Sequence, residues 1–81
     1  MPLVTLYGKP GCCLCDEARA TILAEQATRG FELREVDISV DPALDRRYGE
    51  RIPVVAIDGT EVFELHVDPE ALASRLDRLA A

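Results

Sequence analysis

The first apolar segment of the chain is short and is followed by a long stretch of helix-forming residues. Leu3–Gly8 (LVTLYG) is rich in β-branched and aromatic residues and runs into the loop sequence GKPG, a pattern typical of a buried strand followed by a turn. Cys13–Thr28 contains neither glycine nor proline, and its apolar residues recur near helical spacing. Gly30 provides a stop signal, so the pattern predicts a strand and then a helix.

Apolar and polar residues alternate over residues 31–38 (FELREVDI), which predicts a second strand. A short helix is predicted next. Asp41 is suited to the N-cap, Pro42 to the first helical position, and Gly49 to the end of the helix.

Two β-rich runs then fill residues 52–67 on either side of Asp58 and Gly59, a dipeptide that favours a tight hairpin turn. The start signals of the short helix are repeated by Asp68 and Pro69, which predicts a final helix over residues 68–80. The predicted apolar face of this helix is formed by Leu72, Leu76 and Leu79.

The predicted order of elements is therefore β-α-β, a short helix, and then β-β-α. A helical crossover requires the first two strands to pair in parallel, whereas the hairpin adds an antiparallel pair. We expect an α/β fold with a four-stranded mixed sheet flanked by helices. Residues 1–81 are expected to form a single domain, since the chain contains no repeat, linker or low-complexity segment.

Composition and charge narrow the function classes. The net charge is −6, and the basic residues form no basic stripe, so neither nucleic acid nor an anionic membrane is an expected partner. No apolar segment approaches the ~20 residues needed to cross a bilayer, and the first residues lack the pattern of a signal peptide. We expect a monomer in the reducing cytoplasm.

The three cysteines of the chain lie within four positions, at Cys12, Cys13 and Cys15. This clustering does not resemble a disulfide framework, which requires an even number of cysteines spread along the chain. Cys12 is predicted at the N-terminus of the first helix, where unpaired amides and the helix dipole stabilise a thiolate. Cys15 lies one turn further in and is suited to resolve a mixed disulfide, while Lys9 adds positive potential nearby.

Other interpretations of the cysteines remain open. A zinc site would need four ligands, and the candidates besides Cys12 and Cys15 are Cys13 and His66. Buried cysteines can also be inert residues of a core. Cys13 is a tolerated exposed side chain or has a role in regulation, intermolecular disulfides or metal capture. It is poorly placed to form a disulfide with its neighbour in the chain.

Several segments together resemble the glutaredoxin-like branch of the thioredoxin-fold superfamily. They are YGKPGCCLCDEA, RIPVV, the DG hairpin and the terminal helix, and they cover essentially the whole chain in order. The resemblance implies a thioredoxin fold and a thiol–disulfide oxidoreductase in which Cys12 is the nucleophile and Cys15 the resolving thiol. It also implies a cis-proline at Pro53, after Ile52, where an extended substrate pairs with the backbone. The alternative at this position is an ordinary trans proline.

The resemblance also implies a substrate-binding surface formed by Lys9, Arg51, Ile52, Pro53 and Asp68. Glutathione-binding relatives have glycines before the last helix, whereas this chain has the sequence LHVDPE. Arg51 either pairs with a substrate carboxylate or is solvated. No tightly bound cofactor is expected.

The expected partners are protein disulfides or glutathione, with glutathione or a flavoprotein reductase as the electron donor. The alternative functions are a metal or iron–sulfur carrier that uses the three cysteines, or a binding module without catalysis.

Overall fold

The computed structural model describes residues 1–80, which form four strands, three α-helices and one 3₁₀ turn. The strands are β1 (Leu3–Gly8), β2 (Glu32–Asp37), β3 (Val54–Ile57) and β4 (Thr60–Glu64). The α-helices are α1 (Cys13–Thr28), α2 (Pro42–Tyr48) and α3 (Pro69–Ala80), and the 3₁₀ turn is Ile38–Val40. The predicted order of elements is confirmed.

The four strands form one mixed sheet in the order β2-β1-β3-β4. β1 pairs in parallel with β2, as the helical crossover requires, and antiparallel with β3. β3 and β4 form the predicted hairpin, with a register shift between Val55 and Ala56. Asp58 and Gly59 both have positive φ, 50° and 87°, as a tight hairpin turn demands. The expected four-stranded mixed sheet flanked by helices is therefore confirmed.

The predicted capping residues make the expected hydrogen bonds. The side chain of Asp41 accepts the N–H of Ala43 at 2.9 Å. The side chain of Asp68 accepts the N–H of Glu70 at 3.0 Å. These contacts satisfy donors that the first turn of a helix leaves unpaired, which explains why short local sequences determine where α2 and α3 begin.

One strand boundary and one helix face differ from the predictions. The second strand is shorter than residues 31–38, because Asp37 accepts the N–H of Ser39 at 2.9 Å and turns the chain into the 3₁₀ turn. The face of α3 is also narrower than predicted. Leu72 and Leu76 are buried, but Leu79 is 51% exposed because it borders the hairpin turn, where the sheet ends.

The buried side chains form two clusters. The larger cluster joins β1 and β3 to α1 and α3 and includes Val4, Ile22, Val55 and Leu72. The smaller cluster consists of Cys15, Ile38, Tyr48, Ile52 and Val54, with Tyr7, Cys12 and Leu44 packed against it. The segment formed by residues 12–15, called the cysteine turn below, therefore packs against the smaller cluster. Within residues 1–80, no helix combines the length and the apolar character needed to cross a bilayer.

Candidate active site

Cys12 lies at the N-terminus of α1, as predicted, and is its N-cap. Its φ of −93° and ψ of 111° are extended, and its Sγ accepts the N–H of Cys15 at 3.2 Å. Its carbonyl accepts the N–H of Asp16 at 3.1 Å and so begins the helical hydrogen bonding. The sulfur thus lies where the helix amides and the positive end of the dipole stabilise negative charge.

Cys15 occupies a different environment, although only two residues separate it from Cys12. It is 6% exposed and packs in the smaller cluster. Burial, followed by its hydrogen bond with Cys12, raises the pKa of the Cys15 thiol to about 11, against a smaller opposing effect of the Lys9 backbone. Cys15 is therefore a neutral thiol near pH 7, which matches the environment predicted for a resolving cysteine.

Gly8, the last residue of β1, leaves the space that the Cys15 side chain fills. A Cβ at this position would lie 2.9 Å from the Sγ and 3.2 Å from the Cβ of Cys15. Separations this short are not tolerated without movement of the backbone or of Cys15. The sequence analysis missed this residue. The available signal was a glycine closing a strand directly before the cysteine loop.

Cys13 is exposed on the first turn of α1, and all three thiols are free. In the part of the chain that the structure describes, no group of three or more His, Cys, Asp or Glu side chains is arranged to hold a metal ion. The three cysteines thus differ in exposure: Cys13 is open to solvent, Cys12 is half-buried and Cys15 is buried.

The peptide bond between Ile52 and Pro53 is cis, as the resemblance implied. Ile52 is buried in the smaller cluster, against which Cys12 also packs, so this loop lies beside the cysteine turn. The N–H of Leu65 donates to the carbonyls of Pro53 at 2.8 Å and Arg51 at 3.2 Å. Among residues 1–80, no backbone group bonds to the N–H or carbonyl of Ile52, which leaves both available to an extended segment.

The other predicted substrate-binding residues are Lys9, Arg51 and Asp68, and each has different surroundings. Lys9 is exposed and borders an open cavity of about 340 Å³ that Cys15 also lines. Asp68 caps α3. The Arg51 guanidinium is paired with Glu64 at 3.1 Å and Glu61 at 3.4 Å, so a substrate carboxylate would compete with two carboxylates of the protein. Binding of substrate by these residues stays a prediction.

Two tyrosines connect the smaller cluster to these ion pairs. The rings of Tyr7 and Tyr48 stack with their centroids 4.5 Å apart. The Tyr48 hydroxyl donates to Glu61 at 3.0 Å, and the guanidinium groups of Arg47 and Arg51 lie 5.2 and 5.3 Å from its ring centroid. This arrangement fixes α2 and the segment before Pro53 against β4.

A family model supports the similarity that the sequence suggested. The model described as "Glutaredoxin-like domain (DUF836)" matches residues 3–77. Among curated proteins, the uncharacterized protein Rv0508 of Mycobacterium tuberculosis is 29% identical over 82 residues, covering 95% of this chain and 84% of that protein.

Solved structures give the same picture. Protein Ne2328 from Nitrosomonas europaea is 28% identical, with a TM-score of 0.80 over 93% of this chain and 91% of that one. The structural genomics target XcR50 from X. campestris is 36% identical, with a TM-score of 0.76 over 93% and 96% of the two chains. A mutant thioredoxin from Halobacterium salinarum is 20% identical, with a TM-score of 0.70 over 95% and 73%, and this likeness concerns the fold alone.

Proposed function

The chain belongs to the Glutaredoxin-like domain family, and we propose that it is a thiol–disulfide oxidoreductase that reduces protein or low-molecular-weight disulfides. The observation that carries the proposal is the unequal pair at the start of α1. Cys12 Sγ accepts a helix N–H at 3.2 Å, whereas Cys15 is buried as a neutral thiol. The Cys12 sulfur is thereby suited to attack the substrate, and the Cys15 sulfur to resolve the mixed disulfide afterwards.

In the first step, the Cys12 thiolate attacks one sulfur of the substrate disulfide. A bond forms between Cys12 Sγ and that sulfur, and the substrate's other sulfur leaves as a thiolate. Because the pKa of Cys15 is raised to about 11 by burial, Cys15 does not compete with Cys12 for this attack at neutral pH.

In the second step, Cys15 loses its proton to water and attacks Cys12 Sγ. The bond to the substrate breaks, the reduced substrate leaves as a thiolate, and a disulfide between Cys12 and Cys15 remains. In the mixed disulfide Cys12 carries no charge, which removes one of the effects that raise the pKa of Cys15. The substrate thus gains the two electrons that the dithiol has lost.

An external donor returns the enzyme to its dithiol form. Two glutathione molecules, or the reduced dithiol of a flavoprotein reductase, supply two electrons and become oxidised to a disulfide. We propose a monomer that works in the reducing cytoplasm, where such donors keep thiols reduced. Lys9, Ile52, Pro53, Arg51 and Asp68 are proposed to form the substrate-facing surface around Cys12.

Three single substitutions test the roles of the cysteines. Cys15→Ser should accumulate a mixed disulfide at Cys12, because the resolving thiol is missing, and mass spectrometry of the intact protein should detect the added substrate mass. Cys12→Ser should reduce no substrate. Cys13→Ser is the matched control, since Cys13 is an exposed thiol of the same turn, and it should retain activity.

Two outcomes would contradict the proposal. If the Cys13→Ser variant is inactive while the Cys12→Ser variant is active, Cys12 is not the attacking sulfur. Failure of the wild-type dithiol to reduce any disulfide would remove the enzymatic function itself.

A further inference from the structure

A groove lies beside the cysteine turn, between the first turns of α1 and the segment that joins β4 to α3. Its volume is about 270 Å³, and Leu14, Leu65 and Val67 contribute apolar surface to it. The polar side chains of Glu17, Thr21 and His66 also line it, and with His66 counted as neutral the Glu17 carboxylate carries its one formal charge at pH 7. The groove is smaller than the pockets that hold whole ligands, and its size suits a single long side chain.

Backbone hydrogen bonds hold Leu65 at the junction of this groove and residues 51–53, called the Pro53 loop. Leu65 has a φ of 68°, in the left-handed region that residues other than glycine rarely adopt. Its N–H is held by the carbonyls of Arg51 and Pro53, which flank the residue whose backbone groups face a substrate. Its side chain is 41% exposed. The groove is therefore continuous with the surface where an extended substrate would lie.

The charges around the groove favour a cation. Glu17 is exposed and forms no ion pair within residues 1–80. Arg51, whose carbonyl accepts the Leu65 N–H, already has its guanidinium paired with Glu61 and Glu64. An anionic group entering the groove would meet a free carboxylate, whereas a cation would find a partner.

We propose that this groove selects disulfides in which a lysine or arginine side chain lies next to the reactive cysteine. The aliphatic stem packs against Leu14 and Leu65 while the cationic head reaches the Glu17 carboxylate, as long basic side chains commonly do at mixed surfaces. This inference rests on the proposed function and names its substrate class as basic protein segments. Glutathione, whose two carboxylates outnumber its one ammonium group, fits the same groove poorly.

Three symmetrical disulfides of end-capped dipeptides, Cys-Lys, Cys-Ala and Cys-Glu, test the selection. Each is mixed with pre-reduced wild-type protein, and the released thiol is followed in a single turnover. Each rate is divided by the rate of the same disulfide with dithiothreitol, which removes differences in intrinsic reactivity. We expect the Cys-Lys disulfide to react about tenfold faster than the Cys-Glu disulfide, and 1 M salt to reduce this preference strongly.

Two variants connect the preference to the groove. Glu17→Gln should reduce the Lys-over-Glu ratio about threefold, since one side of the charge contact is lost. Leu65→Gly, which suits the positive φ, should reduce the ratio of Lys to Ala by removing the stem contact. Glu32→Gln is the matched control: it changes net charge equally but lies on β2 opposite Leu3, at the far end of the strand from the cysteines.

Each outcome decides a different point. Equal normalised rates for all three dipeptides would overturn the inference while leaving the proposed function intact. An equal loss of preference in Glu32→Gln and Glu17→Gln would assign the effect to net charge and also overturn it. If none of the three disulfides is reduced, the proposed function and the inference fall together.

Discussion

The buried position of the Cys15 side chain requires a glycine at position 8. Gly8 closes β1, and any Cβ there would meet the Cys15 sulfur at 2.9 Å. The absence of a side chain at Gly8 therefore leaves the space in which Cys15 is buried. This burial in turn raises the pKa of the Cys15 thiol to about 11.

Gly8→Ala should therefore disturb both stability and the resolving step. We expect a loss of about 1–3 kcal/mol in the free energy of unfolding, the usual cost of forcing an extra methyl group into a packed site. Urea titration measures this loss, and a mixed disulfide at Cys12 should persist longer because Cys15 is displaced.

Gly30→Ala is the matched control for this substitution. The nearest atom to a Cβ at Gly30 is Met1 Cε at 3.9 Å, an ordinary contact, so stability should change little. Equal destabilisation by both alanines would show that close packing at Gly8 is not the cause.

The residue-level predictions from sequence were accurate where the chemistry is local. Cys12 was predicted at the N-terminus of α1, and Asp41 and Asp68 as capping residues, because each acts on amides two or three positions away. Gly8 was not identified. Its importance arises from a contact with a helix on the other side of the loop, which no local pattern records.

At the scale of elements, α2 is fastened to β4 through Tyr48. Its hydroxyl donates to Glu61 at 3.0 Å, and Arg51 bridges Glu61 and Glu64 on the same strand. The hydrogen bond from Tyr48, and then the charges of Arg51 and Arg47, lower the pKa of the Glu61 carboxyl. The sequence identified both elements but not this connection, because it depends on the register of β4, which shifts at Val55 and Ala56.

Tyr48→Phe should destabilise the protein by about 1 kcal/mol near pH 7, since one hydrogen bond is lost while the ring remains. A lowered pKa in the folded state means that the Glu61 interaction stabilises the fold above the ordinary glutamate pKa. This stabilisation is lost as pH falls through the lowered value. The difference between variant and wild type should accordingly shrink in acid, as urea titrations at several pH values can measure.

Tyr7→Phe provides the comparison for this hydrogen bond. Tyr7 stacks on Tyr48, but within residues 1–80 its hydroxyl has no protein hydrogen-bond partner, so its loss should cost little. A larger effect at Tyr7 than at Tyr48 would contradict this account of the α2–β4 contact.

At the scale of the whole molecule, the buried side chains form two clusters, one in the main core and one beneath the cysteines. The larger cluster lies between the sheet and the pair α1 and α3, and the smaller one surrounds Cys15 under α2. In a chain of 81 residues the core is small, so individual residues of the larger cluster contribute much of the stability.

Ile22→Ala should lower the free energy of unfolding by about 2–5 kcal/mol. Ile22 is 0% exposed in the larger cluster, so truncating its side chain leaves a cavity there. Leu23→Ala, on the adjacent and 41% exposed leucine, should cost less than about 0.5 kcal/mol. Urea unfolding compares the two. Below its unfolding midpoint, the Ile22 variant should still form the mixed disulfide, since Cys12 packs on the other cluster. Equal costs at the two positions would contradict the assignment of the larger cluster as the stabilising core.

The sequence by itself determined the order of elements, the mixed sheet and the position of Cys12 at the start of α1. These properties follow from periodicity, turn residues and caps, which act over a few residues. Only the tertiary structure decided that Arg51 is engaged by Glu61 and Glu64, that Gly8 accommodates Cys15, and that Leu65 lies against the Pro53 loop. Each of these contacts joins separate elements, and packing in three dimensions selects such partners rather than spacing along the chain.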